Sequence, residues 1–147
     1  MKKRTNYLFI LLAFLAIQHI SCKKSGSSKK AKTNTELLTQ APWKFDKVMS
    51  NGFDVSSLIN DCYKDNVATF AAAGTGSSDE GATKCNSGDP QTQSFLWSFG
   101  SNETKLSVDA AVLTGQSGDF TIIKLTETQL VLEGDFSSTT AQFYFKH

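Results

Sequence analysis

In the segment Q-S-F-L-W-S-F at residues 93–99, every second side chain is a large aromatic. Phe95, Trp97 and Phe99 share one face of an extended chain, and two serines and a leucine occupy the other. A period of two residues is typical of a β-strand with one buried face. This segment therefore predicts a strand with its aromatic face in the core.

Shorter segments with the same alternation lie on both sides of this strand. Strands are predicted at residues 43–47, 67–73, 105–109, 120–125, 129–133 and 141–145. Turn-forming residues separate them, and Asn51-Gly52 is the strongest of these signals. Short strands joined by turns, with no long helix between them, predict an all-β antiparallel meander. Such a meander closes into a barrel, which removes exposed strand edges.

The remaining segments carry weaker signals. One helical turn is predicted over residues 35–40, before Pro42. A brief helix capped by Asp54 is predicted over residues 55–60, followed by a loop at 61–66. Residues 74–76, G-T-G, lack the third glycine and the helix of a dinucleotide loop, so they are interpreted as a hairpin turn. The polar segment 77–85 predicts an edge strand or an ordered loop.

The N-terminus has the pattern of a secretory signal. Three basic residues at positions 2–4 precede an apolar run at 7–17 that is too short to span a bilayer. Ser21 then precedes Cys22, which resembles the lipobox of bacterial lipoproteins, although His19 replaces the preferred leucine. The resemblance implies a signal peptide at residues 1–21 and acylation of Cys22 by palmitate-like chains. The alternative is an ordinary signal peptide that leaves Cys22 as a free thiol.

Charge divides the rest of the chain into two parts. Residues 22–34 are rich in lysine and serine and predict a flexible tether. Residues 35–147 carry seven lysines against all fourteen acidic residues, a net charge of −7, and form the predicted barrel domain. An acidic domain on a basic stalk argues against nucleic acid as a partner. The stalk either contacts anionic lipid headgroups or acts as a solvated spacer.

The residue types that the chain lacks after position 22 narrow its chemistry. It contains no arginine, and its one histidine is His147. A nucleophile paired with an interior histidine and a histidine-based zinc site are therefore excluded, as is a bidentate arginine clamp. We expect a protein that is not an enzyme and that has no cofactor.

The chain resembles the lipocalin-like domain of bacterial lipoproteins over residues 37–146. The resemblance depends on Pro42-Trp43-Lys44, on D-E-G-A-T-K-C at residues 79–85, and on the Gly-Asp-Pro and Trp-Ser-Phe motifs at 88–90 and 97–99. It implies an up-and-down barrel of about eight strands that holds one small ligand or is filled by side chains. Two departures weaken a transport role. Ala41-Pro42-Trp43 replaces the Gly-x-Trp of true lipocalins, and the arginine that packs on that tryptophan is missing.

The inward aromatic residues are the candidate ligand-binding set. The set comprises Trp43, Phe45, Phe70, Phe95, Trp97, Phe99, Phe120, Phe143 and Phe145. These side chains either line a cavity for an apolar molecule or fill a small barrel by themselves. Their sequence positions do not separate the two.

Two further groups of residues are candidates for a disulfide and for a metal site. Cys62 and Cys85 remain once Cys22 is acylated, and an even pair outside the cytoplasm predicts a disulfide. A redox or metal role is the alternative, without a C-x-x-C motif to support it. Asp79, Glu80 and Asp89 are a weak candidate for a calcium site, since their spacing matches no EF-hand. Our expectation is no metal.

Three functions follow from these observations. The first is a non-catalytic, membrane-anchored lipoprotein whose barrel binds a small apolar molecule. The second is an accessory envelope protein with a filled barrel that contacts another protein through its surface or loops. The third, an enzyme, ranks last. Because Lys23 and not Asp follows Cys22, and the tether has no acidic run, an outer-membrane position facing the periplasm is expected.

Overall fold

The computed structural model describes residues 30–147, and residues Ala31–His147 form a compact unit with its own core. A unit of this kind is able to fold on its own. The predicted signal peptide, Cys22 and most of the tether lie outside the described residues. Among those described, no helix is long and apolar enough to cross a membrane.

The described part contains two short α-helices and nine strands, with a 3₁₀ turn at Ser56–Leu58. In chain order they are α1 (Asn34–Thr39), β1 (Trp43–Ser50), β2 (Phe53–Asp54), α2 (Asp61–Lys64), β3 (Val67–Ala71), β4 (Thr75–Asp79), β5 (Thr92–Gly100), β6 (Lys105–Leu113), β7 (Gln116–Leu125), β8 (Gln129–Phe136) and β9 (Thr139–Lys146).

The sheet closes on itself. From β3 to β9 each strand pairs antiparallel with the next, and β1 pairs with both β3 and β9. The two-residue β2 only extends the end of β1, so eight strands form the barrel. The prediction of an all-β, antiparallel up-and-down barrel of about eight strands is confirmed.

Several local predictions need correction. Residues 61–64 form the helix α2, where a loop was expected. The turn between β3 and β4 ends at Gly74, and Gly76 lies within β4 instead of in a hairpin turn. The strands β6, β7 and β8 are three to four residues longer than the alternation indicates. Their extra residues pair across bulges or next to tight turns, where strict alternation breaks down.

Tight turns with left-handed backbone join several neighbouring strands. Asn51 and Gly52 have φ of 51° and 83°, and Thr114 and Gly115 have φ of 58° and 76°. Ser137 and Ser138 also have positive φ, although serine carries no clear signal for it. Two successive residues of this kind match the twist of a β-hairpin. These turns fix the register of the strands that they join.

The helix α1 lies next to the start of β1. Thr33 and Glu36 form a reciprocal capping box at its first turn. The indole nitrogen of Trp43, the first residue of β1, donates to the carbonyl oxygen of Leu38 at 2.8 Å. Both Leu38 and Trp43 are buried, so the helix and the first strand share the core.

The two longest connections belong to the opposite end of the barrel. Successive strands are antiparallel, so residues 55–66 and 80–91 leave the barrel at the end away from α1. The first of these connections carries Ile59, which is buried, and Tyr63, which packs against the core. The two connections therefore lie at the same end of the barrel.

Candidate functional site

The inward aromatic residues fill the barrel. Seven of the nine are buried, and Phe45 and Phe99 are partly buried against the same core. Their rings meet edge to face, with centroid distances of 5.2 Å for Phe70–Phe95, 5.7 Å for Phe70–Trp97, 5.3 Å for Trp97–Phe99 and 6.1 Å for Phe120–Phe143. This is the preferred geometry of aromatic pairs. These contacts form two groups of rings, one of Phe70, Phe95, Trp97 and Phe99 and one of Phe120 and Phe143, within a single hydrophobic core.

Two glycines make room for these rings. Gly76 lies in register between Phe70 on β3 and Phe95 on β5, and the Phe95 ring covers it. A Cβ atom at position 76 would lie 2.2 Å from Cζ of Phe95. At position 134 a Cβ atom would lie 2.8 Å from the Phe120 ring. Alternation of small and large side chains is how small barrels fill their interior.

A narrow cleft remains beside Trp43, Phe45 and Phe145. Its free volume is about 10 Å³, and residues that the sequence did not single out, including Tyr63 and Thr114, complete its lining. Such a volume accommodates about one water molecule. Pockets for organic ligands usually measure ~300–1,000 Å³. In this conformation the cleft has no room for an apolar ligand.

Tyr63 lines the cleft from outside the strands, as Asn66 and Thr114 do. It lies on α2, and a Cβ atom at Gly115, in the β6–β7 turn, would be 2.8 Å from its ring. Only a glycine lets the turn approach the ring so closely, and position 115 also needs a positive φ. The sequence analysis singled out neither Gly115 nor Tyr63.

A disulfide joins the two long connections. Cys62 of α2 and Cys85 are bonded, with their Cα atoms 5.0 Å apart, so the predicted pair is confirmed. Asp65 strengthens the junction, because its Oδ2 accepts hydrogen bonds from the backbone N–H groups of Ala82 and Thr83. The Asn66 amide, with its nitrogen turned toward the two carbonyls, donates to Cys62 and Glu80. The connections thus form one cross-linked layer over the barrel.

The structure does not bring Asp79, Glu80 and Asp89 together as a metal site. Asp79 accepts from Gly81 and Gln91, Glu80 from the backbone of Cys85, and Asp89 from the Asn86 amide. Within residues 30–147 no three acidic, histidine or cysteine side chains are grouped to hold a metal ion. The hydrogen bonds from Gln91 and Gly81 lower the pKa of the Asp79 carboxyl, as expected of a turn-stabilising carboxylate.

Trp43 has an aromatic neighbour from the residue that follows β9. The imidazole of His147 packs on the indole with a centroid distance of 3.9 Å. Its Nδ1 lies 2.8 Å from the carbonyl oxygen of Pro42, and its Nε2 lies 3.3 Å from the amide nitrogen of Gln40. His147 therefore links the end of β9 to the junction of α1 and β1.

The outer wall of the barrel contains a groove of about 390 Å³, which the sequence did not predict. It runs over the β1–β9–β8 face beside the β1–β2 turn. The lining side chains belong to Met49, Asn51, Glu133, Thr140, Gln142 and Tyr144. Of these, Thr140, Gln142 and Tyr144 project outward because they alternate along β9 with the buried Ala141, Phe143 and Phe145.

A short hydrogen-bonded chain orders the floor of this groove. The Tyr144 hydroxyl donates to Oε1 of Gln142 at 3.0 Å. Nε2 of Gln142 then donates to Oε2 of Glu133 at 3.2 Å. Met49, Gln142 and Glu133 lie side by side on β1, β9 and β8. The groove thus presents an aromatic ring, an amide and a carboxylate in fixed relative positions.

Fold and site together define a small all-β barrel with a filled interior and an open groove on its outer wall. No protein-family model matches the chain, and no curated protein is significantly similar to it. Among solved structures, the chain is similar to a lipocalin-like protein from Bacteroides uniformis at 13% identity and a TM-score of 0.45, which covers 75% of this chain and 97% of the other. An uncharacterized protein from Bacteroides eggerthii is 10% identical, with a TM-score of 0.43 and coverage of 73% and 98%. Similarity at this level says nothing about ligand, partner or activity.

Proposed function

We propose that this protein is a non-catalytic, lipid-anchored envelope protein that binds a partner protein through the outer groove at the β1–β9–β8 face. One observation carries the proposal. The barrel interior is occupied by its own aromatic side chains, whereas the groove on the outer wall offers about 390 Å³ of open space. Binding therefore takes place on the surface.

The segment beside the groove supports a protein partner. Phe53 follows the Asn51-Gly52 turn at the groove's edge and is 73% exposed, and Leu58 in the same connection is 65% exposed. Large apolar side chains exposed beside polar residues are typical of protein-binding surfaces. The same segment is anchored to the barrel, because Ser56 Oγ accepts from the backbone of Val48. The exposed apolar side chains are therefore held in a defined place relative to the groove.

A small apolar ligand inside the barrel is the second candidate. The cleft beside Trp43 and Phe145 favours it, because it is a gap in an otherwise filled interior. To admit an organic molecule, α2 would have to withdraw Tyr63, against the restraint of the Cys62–Cys85 disulfide. This requirement places the candidate second.

The membrane anchor belongs to the proposal on sequence grounds alone. The signal-like N-terminus and Ser21-Cys22 support acylation at Cys22, and Lys23 supports an outer-membrane position facing the periplasm. Metabolic labelling with a palmitate analogue in a Gram-negative host tests this. We expect labelled protein in the membrane fraction and no label on the Cys22→Ser variant. Label retained by that variant would contradict the anchor.

Photo-crosslinking in cells tests the binding face. A photoreactive amino acid replaces Thr140 in the groove or, as the control, Ser98, an exposed residue on β5 across the barrel. We expect a discrete crosslinked protein from position 140 and none from position 98. Equal crosslinking from both positions, or none from position 140, would contradict the proposal.

A further inference from the structure

Among residues 30–147, no cationic side chain pairs with the carboxylate in the groove. Oε2 of Glu133 accepts from the Gln142 amide, and no lysine of residues 30–147 lies within ion-pair distance of it. Elsewhere in the described part, Lys64 pairs with Asp61 and Lys146 with Asp46. A half-buried carboxylate with one neutral donor gains most from a ligand that brings a positive charge.

The aromatic ring in the groove already has a cation over it. Nζ of Lys47 lies 5.0 Å from the centroid of the Tyr144 ring, within the range of a cation–π contact. The hydroxyl of Tyr144 is held by Gln142, so the ring is fixed relative to Glu133. The groove therefore combines a cation-binding ring face with a carboxylate, and the side chain of Gln142 links the two by hydrogen bonds.

We propose that the groove binds an arginine side chain of the partner protein, with its guanidinium over the Tyr144 ring and paired to Glu133. Guanidinium is planar, stacks on aromatic faces and pairs with carboxylates through two parallel hydrogen bonds, which an ammonium group cannot do. Charge complementarity favours such a partner, because residues 30–147 carry nine lysines against fourteen acidic residues. The inference rests on the proposed function and specifies the chemistry of the same site.

In the free protein the Lys47 ammonium lies over the Tyr144 ring, and the Asp54 carboxylate is a second group that it can contact. Lys47 lies near Asp54, where the pKa of the carboxyl is lowered first by hydrogen bonds from Ser56 and further by the charge of Lys47. When a guanidinium takes the ring face, the flexible Lys47 side chain is free to turn toward this carboxylate. Lys47 is thus a competitor for the ring and not a ligand of the guest.

A titration followed by nuclear magnetic resonance tests the assignment on the soluble domain, residues 25–147. The probe is Nα-acetyl-arginine amide, and its neutral isostere Nα-acetyl-citrulline amide is the control. We expect amide signals of Thr140, Gln142 and Tyr144 to shift with the arginine probe at a Kd of about 1 mM, as befits a single side chain. The citrulline probe is expected to leave them unchanged.

Three variants locate the charge and the ring. Glu133→Gln is expected to weaken binding of the arginine probe about tenfold, through loss of a charge-assisted hydrogen bond. Glu103→Gln changes the net charge equally but lies on the exposed β5–β6 turn, so we expect no effect. Lys47→Met removes the competing cation and is expected to tighten binding roughly two- to fivefold, the size of an exposed cation–π contact.

The outcomes separate this inference from the proposed function. Equal shifts with both probes, or equal weakening by Glu133→Gln and Glu103→Gln, would overturn the arginine site. If Glu133→Gln does not fold, as its spectrum would reveal, Tyr144→Leu takes its place with the same expected direction. If crosslinking from position 140 persists in Glu133→Gln, the result would support the binding face and refute the arginine site. If the arginine probe binds but no crosslinked protein forms, the result would support the arginine site and contradict the proposed partner protein.

Discussion

The substitution Gly76→Ala tests whether the barrel is filled as described. The new Cβ atom would lie 2.2–2.8 Å from three atoms of the Phe95 ring, closer than any real contact. The ring cannot retreat freely, because it packs edge to face on Phe70 at 5.2 Å. Overpacking of this kind costs about 1–3 kcal/mol. Because alanine is less flexible than glycine in the unfolded chain, the substitution also stabilises the fold by roughly 0.5–1 kcal/mol, which offsets part of this cost.

We therefore expect Gly76→Ala to lower the free energy of unfolding by about 1–2 kcal/mol. Urea unfolding followed by tryptophan fluorescence measures this directly, since Trp97 lies in the same ring cluster. Gly100→Ala is the matched control, because its nearest neighbour, Cβ of Lys105, is an ordinary 3.8 Å away. That variant is expected to be as stable as the native protein or slightly more so.

A double-mutant cycle with Phe95→Leu identifies the cause. If the clash with the Phe95 ring is responsible, Gly76→Ala should cost roughly 1 kcal/mol less when position 95 is leucine. Strictly additive effects, or a Gly76→Ala variant as stable as Gly100→Ala, would refute a ring seated over Gly76. The interior would then have spare room near β4, and an internal ligand would regain weight.

Three further variants test separate parts of the structure. Cys62→Ser combined with Cys85→Ser should lower the free energy of unfolding by about 3 kcal/mol in the chain-entropy model, and an equal effect of reductant on both proteins would contradict this. The hydrogen bond from Gln91 that lowers the pKa of Asp79 stabilises the fold above the unfolded-state pKa and is lost as the pH falls through the folded-state value. Asp79→Asn should therefore lower the melting temperature at pH 7 but not in strong acid, and a deficit that persists in acid would refute the link. Thr33→Ala should cost about 1 kcal/mol through loss of the α1 cap, measured by urea unfolding, and a neutral result would show that the capping box is not needed.

The sequence predicts the barrel well because aromatic residues at every second position mark the inner face of its strands. Phe95, Trp97 and Phe99 follow the two-residue period of a strand, and Asn51-Gly52 has the chemistry of a hairpin turn. The disulfide follows from an even number of cysteines once Cys22 is set aside. Each of these signals is local or a matter of counting, so the sequence alone carries it.

The parts that the sequence does not predict depend on contacts between residues that are far apart in the sequence. Tyr63 lines the cleft only because the disulfide and Gly115 bring α2 onto the β6–β7 turn. The groove forms because Glu133 and Gln142, on two strands, share a register that no sequence period encodes. Gly76 was interpreted as a turn residue because its role, leaving space for a ring on the next strand, is visible only in three dimensions.

Native mass spectrometry of residues 25–147, secreted to a bacterial periplasm and gently purified, tests the central claim most directly. A filled barrel predicts the bare polypeptide at a mass two hydrogens below the reduced chain, which reports the Cys62–Cys85 bond. A small-molecule adduct that leaves on denaturation would contradict this prediction.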